Sequence, residues 1–308
     1  MIKNKVSIIG AGMVGSTTAY GLIASDITEE IALLDINQKL VNAQVMDLQH
    51  SVPFWGYTEI KRGTYKDLRD SKVVIITCGA AQKQGETRLD LLQKNASIIK
   101  EIMPKIFKEN PNIIVIMVSN PVDILTNIAI KMFPQKKQQI FGSGTILDSA
   151  RFRFLLGEKI DVNPKSVHAY IVGEHGDSEL ALWSTATVGN TPLDKFQKIN
   201  KTEKELIFQQ AKNAAYAIID GKQSTYYAIA AGLVKLTKAV FYDKKTVYTV
   251  SHPLNGRFGI KDVSLSLPAV IGAKGLIREV DLNLSALEKK QLRQSANKLK
   301  VAEKSLKS

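Results

Sequence analysis

Two hydrophobic periods alternate along the first half of the chain. Short apolar runs suited to buried strands fall at residues 6–9, 31–34, 73–78 and 113–118. Between them apolar positions recur at helical spacing over residues 13–23, 39–50 and 89–107, and a shorter strand is predicted over 58–63. Strands alternating with helices up to about residue 141 predict a doubly wound parallel sheet, which takes its ligands at the carboxyl ends of its strands. Beyond that point the pattern changes. Helices are predicted over 145–157, 203–219 and 227–240, strands over 167–172, 182–188, 247–250 and 263–270, and a closing lysine-rich amphipathic helix over 287–306. This second stretch reads as a mixed α/β region with antiparallel pairing. The chain is accordingly divided at residues 1–142 and 143–308, with no linker or repeat between the parts.

The join between the first strand and the first helix carries glycines at Gly10, Gly12 and Gly15, with Met13 and Val14 between the last two. A turn of this kind lets backbone approach a pyrophosphate, which the first helical N–H groups and the helix dipole then hold. The second apolar run ends at Asp35, about 20 residues past Gly15, where a dinucleotide fingerprint places an acid. A carboxylate there accepts hydrogen bonds from ribose hydroxyls and repels a 2′-phosphate, so the reading is a Rossmann-type sheet binding NAD rather than NADP.

Composition narrows the setting. With 308 residues, 44% of them hydrophobic, the chain can build real cores, and no apolar run approaches the roughly 20 residues of a membrane span. No signal peptide is visible. The single cysteine, Cys78, ends an apolar run, which predicts a buried thiol and a reducing, cytoplasmic protein. A net charge of +13 raises the question of nucleic acid, but the lysines are spread over most helices rather than gathered with arginines and aromatics on one face. Solvated helix faces account for them, and the positive field would draw in anionic substrates and effectors. The four histidines do not fall at metal-ligand spacing with cysteines or carboxylates, so no metal is expected.

Several strand ends are polar. Residues 79–88, beginning Gly79-Ala80 and ending at Arg88, leave a central strand and read as a mobile lid. In Ser119-Asn120-Pro121-Val122-Asp123, Asn120 sits at a strand end as a capping residue or a ligand contact, and Pro121 opens the next helix. In Gly173-Glu174-His175-Gly176-Asp177 a histidine lies between glycines just after a strand, which exposes its ring.

Taken jointly, the glycine turn, Asp35, the stretch from Gln82 to Arg88, residues 119–123, Asp148-Ser149-Ala150-Arg151 and residues 173–177 closely resemble the bacterial L-lactate dehydrogenases, nearly end to end. The resemblance implies that His175 donates a proton to the carbonyl oxygen of pyruvate while Asp148 pairs with its other ring nitrogen. A carboxylate there fixes the tautomer and favours the charged ring. It implies that Arg151 holds the substrate carboxylate with its planar fork, and that Arg88 closes over the substrate and polarises the carbonyl. Asn120 orients the carbonyl and His175, and the Asn120-Pro121 bond is expected to be cis. Thr225 lines the pocket for the substrate methyl group or caps the helix that follows it. The cofactor would lie along Gly10, Gly12, Met13, Val14 and Gly15, Asp35, and the strand ends Gly79-Ala80 and Ser119-Asn120.

Gln82 sets the substrate. Related malate dehydrogenases carry an arginine at the matching position to meet a second carboxylate, which a neutral amide cannot do. Pyruvate is therefore preferred over oxaloacetate, malate dehydrogenase or another L-2-hydroxyacid dehydrogenase being the alternative. Arg153 and His168 match residues that bind fructose 1,6-bisphosphate in allosteric bacterial members. Arg153 lies two residues past Arg151 and must leave the helix by another face. The family is usually tetrameric, and here the first strand begins too near Met1 for the N-terminal arm of eukaryotic relatives, so a dimer completing a tetramer on effector binding is expected.

Overall fold

The computed structural model describes residues 4–80 and 87–306. Gln82 and most of the expected lid therefore lie outside the described residues. In chain order the first half runs β1 (Lys5–Ile9), α1 (Met13–Ala24), β2 (Glu30–Leu34), α2 (Gln38–Ser51), β3 (Glu59–Arg62), β4 (Val73–Ile76), α3 (Arg88–Glu109), β5 (Ile114–Met117), α4 (Val122–Met132) and β6 (Ile140–Gly142). Its strands are parallel in the order β3-β2-β1-β4-β5-β6. The order reverses between β1 and β4, and a crevice for a ligand opens at such a switch point. Strand residues alternate between faces. Val6, Ile8, Val73 and Ile75 pack against α1 and α2, whereas Ile9, Val74 and Ile76 pack against α3 and α4, so the central strands β4 and β5 are apolar throughout.

The second half contributes α5 (Ile146–Ile160), β7 (Val167–His168), β8 (Ile171–Val172), β9 (Leu180–Ala181), β10 (Thr187–Val188), β11 (Thr191–Pro192), α6 (Leu193–Phe196), α7 (Lys201–Lys222), α8 (Tyr227–Phe241), β12 (Thr246–Pro253), β13 (Ser264–Gly272), β14 (Gly275–Glu279) and α9 (Ala286–Lys304). Strands β12 to β14 extend the large sheet antiparallel beyond β6, giving nine strands among the described residues. Helix α8 packs on α1 so closely that a Cβ on Gly21 would meet Val234 Cγ2 at 3.0 Å. A third core cluster lies under α5 and α7.

Four expectations need correction. The strand predicted over 182–188 does not form. Leu180–Ala181 and Thr187–Val188 pair elsewhere, and between them Trp183 stacks edge-on against Phe152 while Glu288 of α9 accepts the Ser184 N–H at 3.2 Å in place of a ladder bond. The run 167–172 is two strands, because His168 pairs with Thr187 and Ile171 with Ala181. Cys78 is half-buried rather than buried, since it leaves β4 beside the glycine turn, and desolvation pushes its thiol up to about 11. Pro121 is the N-cap of α4 rather than its first residue. No helix among the described residues is long and apolar enough to cross a membrane.

Candidate active site

At the switch point the glycines divide the work. Gly10 has φ +114°, and a Cβ there would come within 2.6 Å of the Cys78 nitrogen. A Cβ on Gly15 would lie 1.9 Å from the Gly10 carbonyl oxygen. One on Gly12 would meet nothing within 4 Å. Gly10 and Gly15 thus serve the turn itself, and the space in front of Gly12 is open. Helix α1 begins there with no side-chain cap and no acid in its first turn, which leaves its N–H groups and positive dipole end for an anion. Asp35 follows β2 and braces the same turn: its Oδ2 accepts the Ala11 N–H at 2.7 Å and its Oδ1 the Asn37 N–H at 2.8 Å. These residues fit a dinucleotide.

The neighbouring strand ends are tied together by Asn95, a buried polar residue on the otherwise apolar face of α3. Its Oδ1 accepts the Ala80 N–H and its Nδ2 donates to the Asn120 carbonyl, both at 2.8 Å. Ser119 donates from its hydroxyl to the Cys78 carbonyl, and the Asn120-Pro121 bond is cis as expected.

Asp148, in the first turn of α5, is the hub of the polar cluster. Its Oδ2 meets His175 Nδ1 at 2.7 Å and its Oδ1 accepts from Arg151 Nη1 at 3.0 Å. Arg151, one turn along the same helix, is reached because i and i+3 share a face. Burial opposes the charge on Asp148, but His175 and Arg151 hold the carboxyl below its ordinary range. Burial likewise opposes the imidazolium, and the Asp148 charge and hydrogen bond overcome it, lifting His175 to about 9. The ring is thus protonated at neutral pH, with 28% of the side chain still exposed and Nε2 not engaged by Asp148. A charged, partly exposed acid lies beside a guanidinium, an arrangement suited to protonating an oxygen on a bound carboxylate.

The loop carrying His175 is held at several points. Gly173, at φ +95°, exchanges backbone hydrogen bonds with Ser266 of β13, and Ser295 of α9 accepts the Glu174 N–H at 2.8 Å. The buried carboxylate of Asp123 accepts the His175 N–H at 2.7 Å. Arg88, the first residue of α3, is largely exposed and donates to Asp177 Oδ2 at 3.1 Å, two residues from His175. Thr225 is half-buried in the turn between α7 and α8. It does not cap α8, whose N-cap is Tyr226. Arg153 leaves α5 on another face and donates from Nη2 to the Pro164 carbonyl at 3.1 Å, in the turn leading to the exposed His168 of β7.

Asn95, Asp123 and Glu179 were not singled out from the sequence. For Asn95 the available signal is a polar residue on an apolar helical face. Glu179 is buried near the dyad, its Oε1 has no hydrogen-bond partner, and desolvation and the Asp148 charge raise its carboxyl to about 8. Ligating atoms of Asp148, His175 and Glu179 lie within 4.8 Å of one another, a grouping hidden by their sequence spacing. Both Asp148 oxygens are already hydrogen-bonded, and the neighbouring imidazolium and guanidinium repel a cation.

Residues 4–142 match the lactate/malate dehydrogenase NAD-binding domain and residues 145–308 the α/β C-terminal domain of the same family. The chain is 44% identical over 302 residues to an L-lactate dehydrogenase of Thermoanaerobacter sp., covering 96% of this chain and 97% of that one. It is 44% identical over 310 residues to one of Acetivibrio thermocellus, covering 99% and 98%. Among solved structures, the minor L-lactate dehydrogenase of Enterococcus mundtii, in a ligand-bound form, superposes with a TM-score of 0.96 at 35% identity over 100% of this chain and 99% of that one. A lactate dehydrogenase from a Medee basin deep-sea metagenome superposes at 0.94 with 39% identity, covering 98% of each. With its doubly wound NAD-binding sheet and its mixed α/β second half, the chain belongs to the lactate/malate dehydrogenase family of NAD-dependent oxidoreductases.

Proposed function

We propose that the chain is an L-lactate dehydrogenase interconverting pyruvate and L-lactate in the cytoplasm, with His175, Asp148 and Arg88 as its catalytic residues. The observation that carries this reading is the Asp148 carboxylate shared between His175 and Arg151. Gly10, Gly12, Met13, Val14 and Gly15 would hold the pyrophosphate of NAD and Asp35 a ribose, with Gly79, Ala80, Ser119 and Asn120 as further cofactor contacts. When bound as NADH the cofactor supplies the hydride. Arg151 takes the pyruvate carboxylate in a two-pronged bond and so fixes the ketone's orientation. Asn120 orients the carbonyl, and His175 gives the proton on Nε2 to the carbonyl oxygen, which becomes the lactate hydroxyl. Arg88 exchanges its exposed pairing with Asp177 for the substrate and polarises the carbonyl as negative charge develops. Thr225 would line the pocket around the methyl group, and the neutral amide of Gln82 would favour a monocarboxylic substrate. The working form is a homotetramer activated by fructose 1,6-bisphosphate at Arg153 and His168.

Two variants test the catalytic assignment. His175→Asn should keep NADH affinity by fluorescence titration and lose pyruvate turnover at least a hundredfold, on the order of the general acid's contribution. Arg151→Lys keeps the charge but loses the fork. It should lower kcat/KM for pyruvate about tenfold to a hundredfold per hydrogen bond lost. Near wild-type turnover in either variant would place the chemistry elsewhere.

A further inference from the structure

The dyad rests on a second buried carboxylate, reached from the other half of the chain. Asp123 lies in the first turn of α4, the helix that starts just after Asn120 and Pro121, and its side chain is only 2% exposed. Its Oδ2 accepts the backbone N–H of His175 at 2.7 Å, across 52 residues of sequence. The Ser251 hydroxyl of β12 faces the carboxylate and favours its charged form, although no hydrogen bond of ordinary geometry reaches Oδ1. A buried carboxylate left half-satisfied is costly, and an apolar residue would fill the same space more cheaply. Besides the His175 N–H, three features offset the cost: the Ser251 hydroxyl, the charged imidazole of His175, and the N-terminus of α4, whose dipole favours an anion in its first turn.

We propose that Asp123 is a positioning residue for the proton donor, fixing the His175 loop to the helix that follows Asn120 and adding a second negative charge behind the imidazole. The inference rests on the donor role given to His175 above. Around the ring, α5 contributes Asp148 and Arg151, the loop itself Glu174 and Glu179, and α7 Lys212. Asp123 differs from these in holding the backbone of the donor while belonging to the NAD-binding half. Burial raises its carboxyl to about 6, so it is mostly ionised at neutral pH and above. Its charge then favours protonated His175, and its acceptor oxygen sets where the ring stands relative to Asn120.

The two functions separate by substitution. Asp123→Asn keeps an acceptor for the His175 N–H and removes the charge, so the alkaline limb of the pyruvate kcat/KM profile should move to lower pH by about half to one pH unit. Asp123→Ala removes both and should lose about tenfold or more at pH 6.5, a larger loss than Asn causes there, with NADH affinity retained. A D123N limb that superimposes on wild type would overturn the proposal, whatever the loss of rate, because a merely structural residue lowers activity without moving the limb. If neither variant folds, hydrogen exchange on the wild-type enzyme decides. The His175 amide should be protected although it lies in a loop, and exchange at an open-loop rate would overturn the proposal. A wild-type enzyme with no alkaline limb would instead contradict the donor role of His175, a result distinct from failure at Asp123.

Discussion

At the scale of residues the site depends on two oxygens of one carboxylate. Asp148 Oδ2 raises the proton affinity of His175, and Oδ1 holds Arg151 in the same frame, so the proposed acid and the proposed carboxylate-binding fork are placed together. Because His175 is lifted to about 9, above its ordinary 6.5, the donor stays loaded through neutrality. The sign follows directly. Pyruvate kcat/KM should be level up to about pH 8 and fall as pH rises through about 9, whereas lactate oxidation, which needs the neutral ring, should climb over the same interval. Profiles breaking near 6.5 would show an imidazole that Asp148 does not hold. His175, Asp148 and Arg151 are legible in the sequence because they sit in compact motifs. Asp123 belongs to a motif read for Asn120, but its partner is a backbone N–H 52 residues away, and no spacing rule reveals that. Glu179 is hidden for the same reason: its burial comes from the fold.

At the scale of elements the alternating first half was readable almost throughout, since parallel strands buried on both faces leave continuous apolar runs and their crossover helices keep a clean period. The second half was read less well. Between Leu182 and Ala186 the chain leaves the ladder: Trp183 packs edge-on against Phe152, and the Ser184 N–H is accepted by Glu288 of α9. The edge strand β14, Gly-Leu-Ile-Arg-Glu, buries too few side chains to leave an apolar pattern in the sequence. The glycine turn offers a contrast that can be measured. Gly15→Ala puts a Cβ 1.9 Å from the Gly10 oxygen and should lower both thermal stability and NADH affinity, the former by about 1–3 kcal/mol. Gly12→Ala points its methyl into open space, so stability should hold within about 1 kcal/mol while NADH binding weakens. Equal destabilisation by the two would refute the division of roles, as read by thermal unfolding and fluorescence titration.

At the scale of the whole molecule the two halves share one sheet, and the His175 loop is fastened to both: to β13 through Gly173 and to α4 through Asp123. Helix α5 carries Asp148 and Arg151 on one face and sends Arg153 off another toward the turn before His168, so a ligand on that side could bias the same helix that holds the dyad. Fructose 1,6-bisphosphate should therefore lower the pyruvate KM, and the response should shrink in Arg153→Gln. An unchanged wild-type KM would remove the effector site and leave the catalytic assignment intact. Substrate choice is decided by a direct comparison: NADH oxidation with pyruvate and with oxaloacetate, for wild type and Gln82→Arg. Wild type should prefer pyruvate in kcat/KM, and the variant should shift toward oxaloacetate, because an added cation there pairs with the distal carboxylate and is left unpaired by a methyl group. A wild-type enzyme that already prefers oxaloacetate would contradict the lactate dehydrogenase reading.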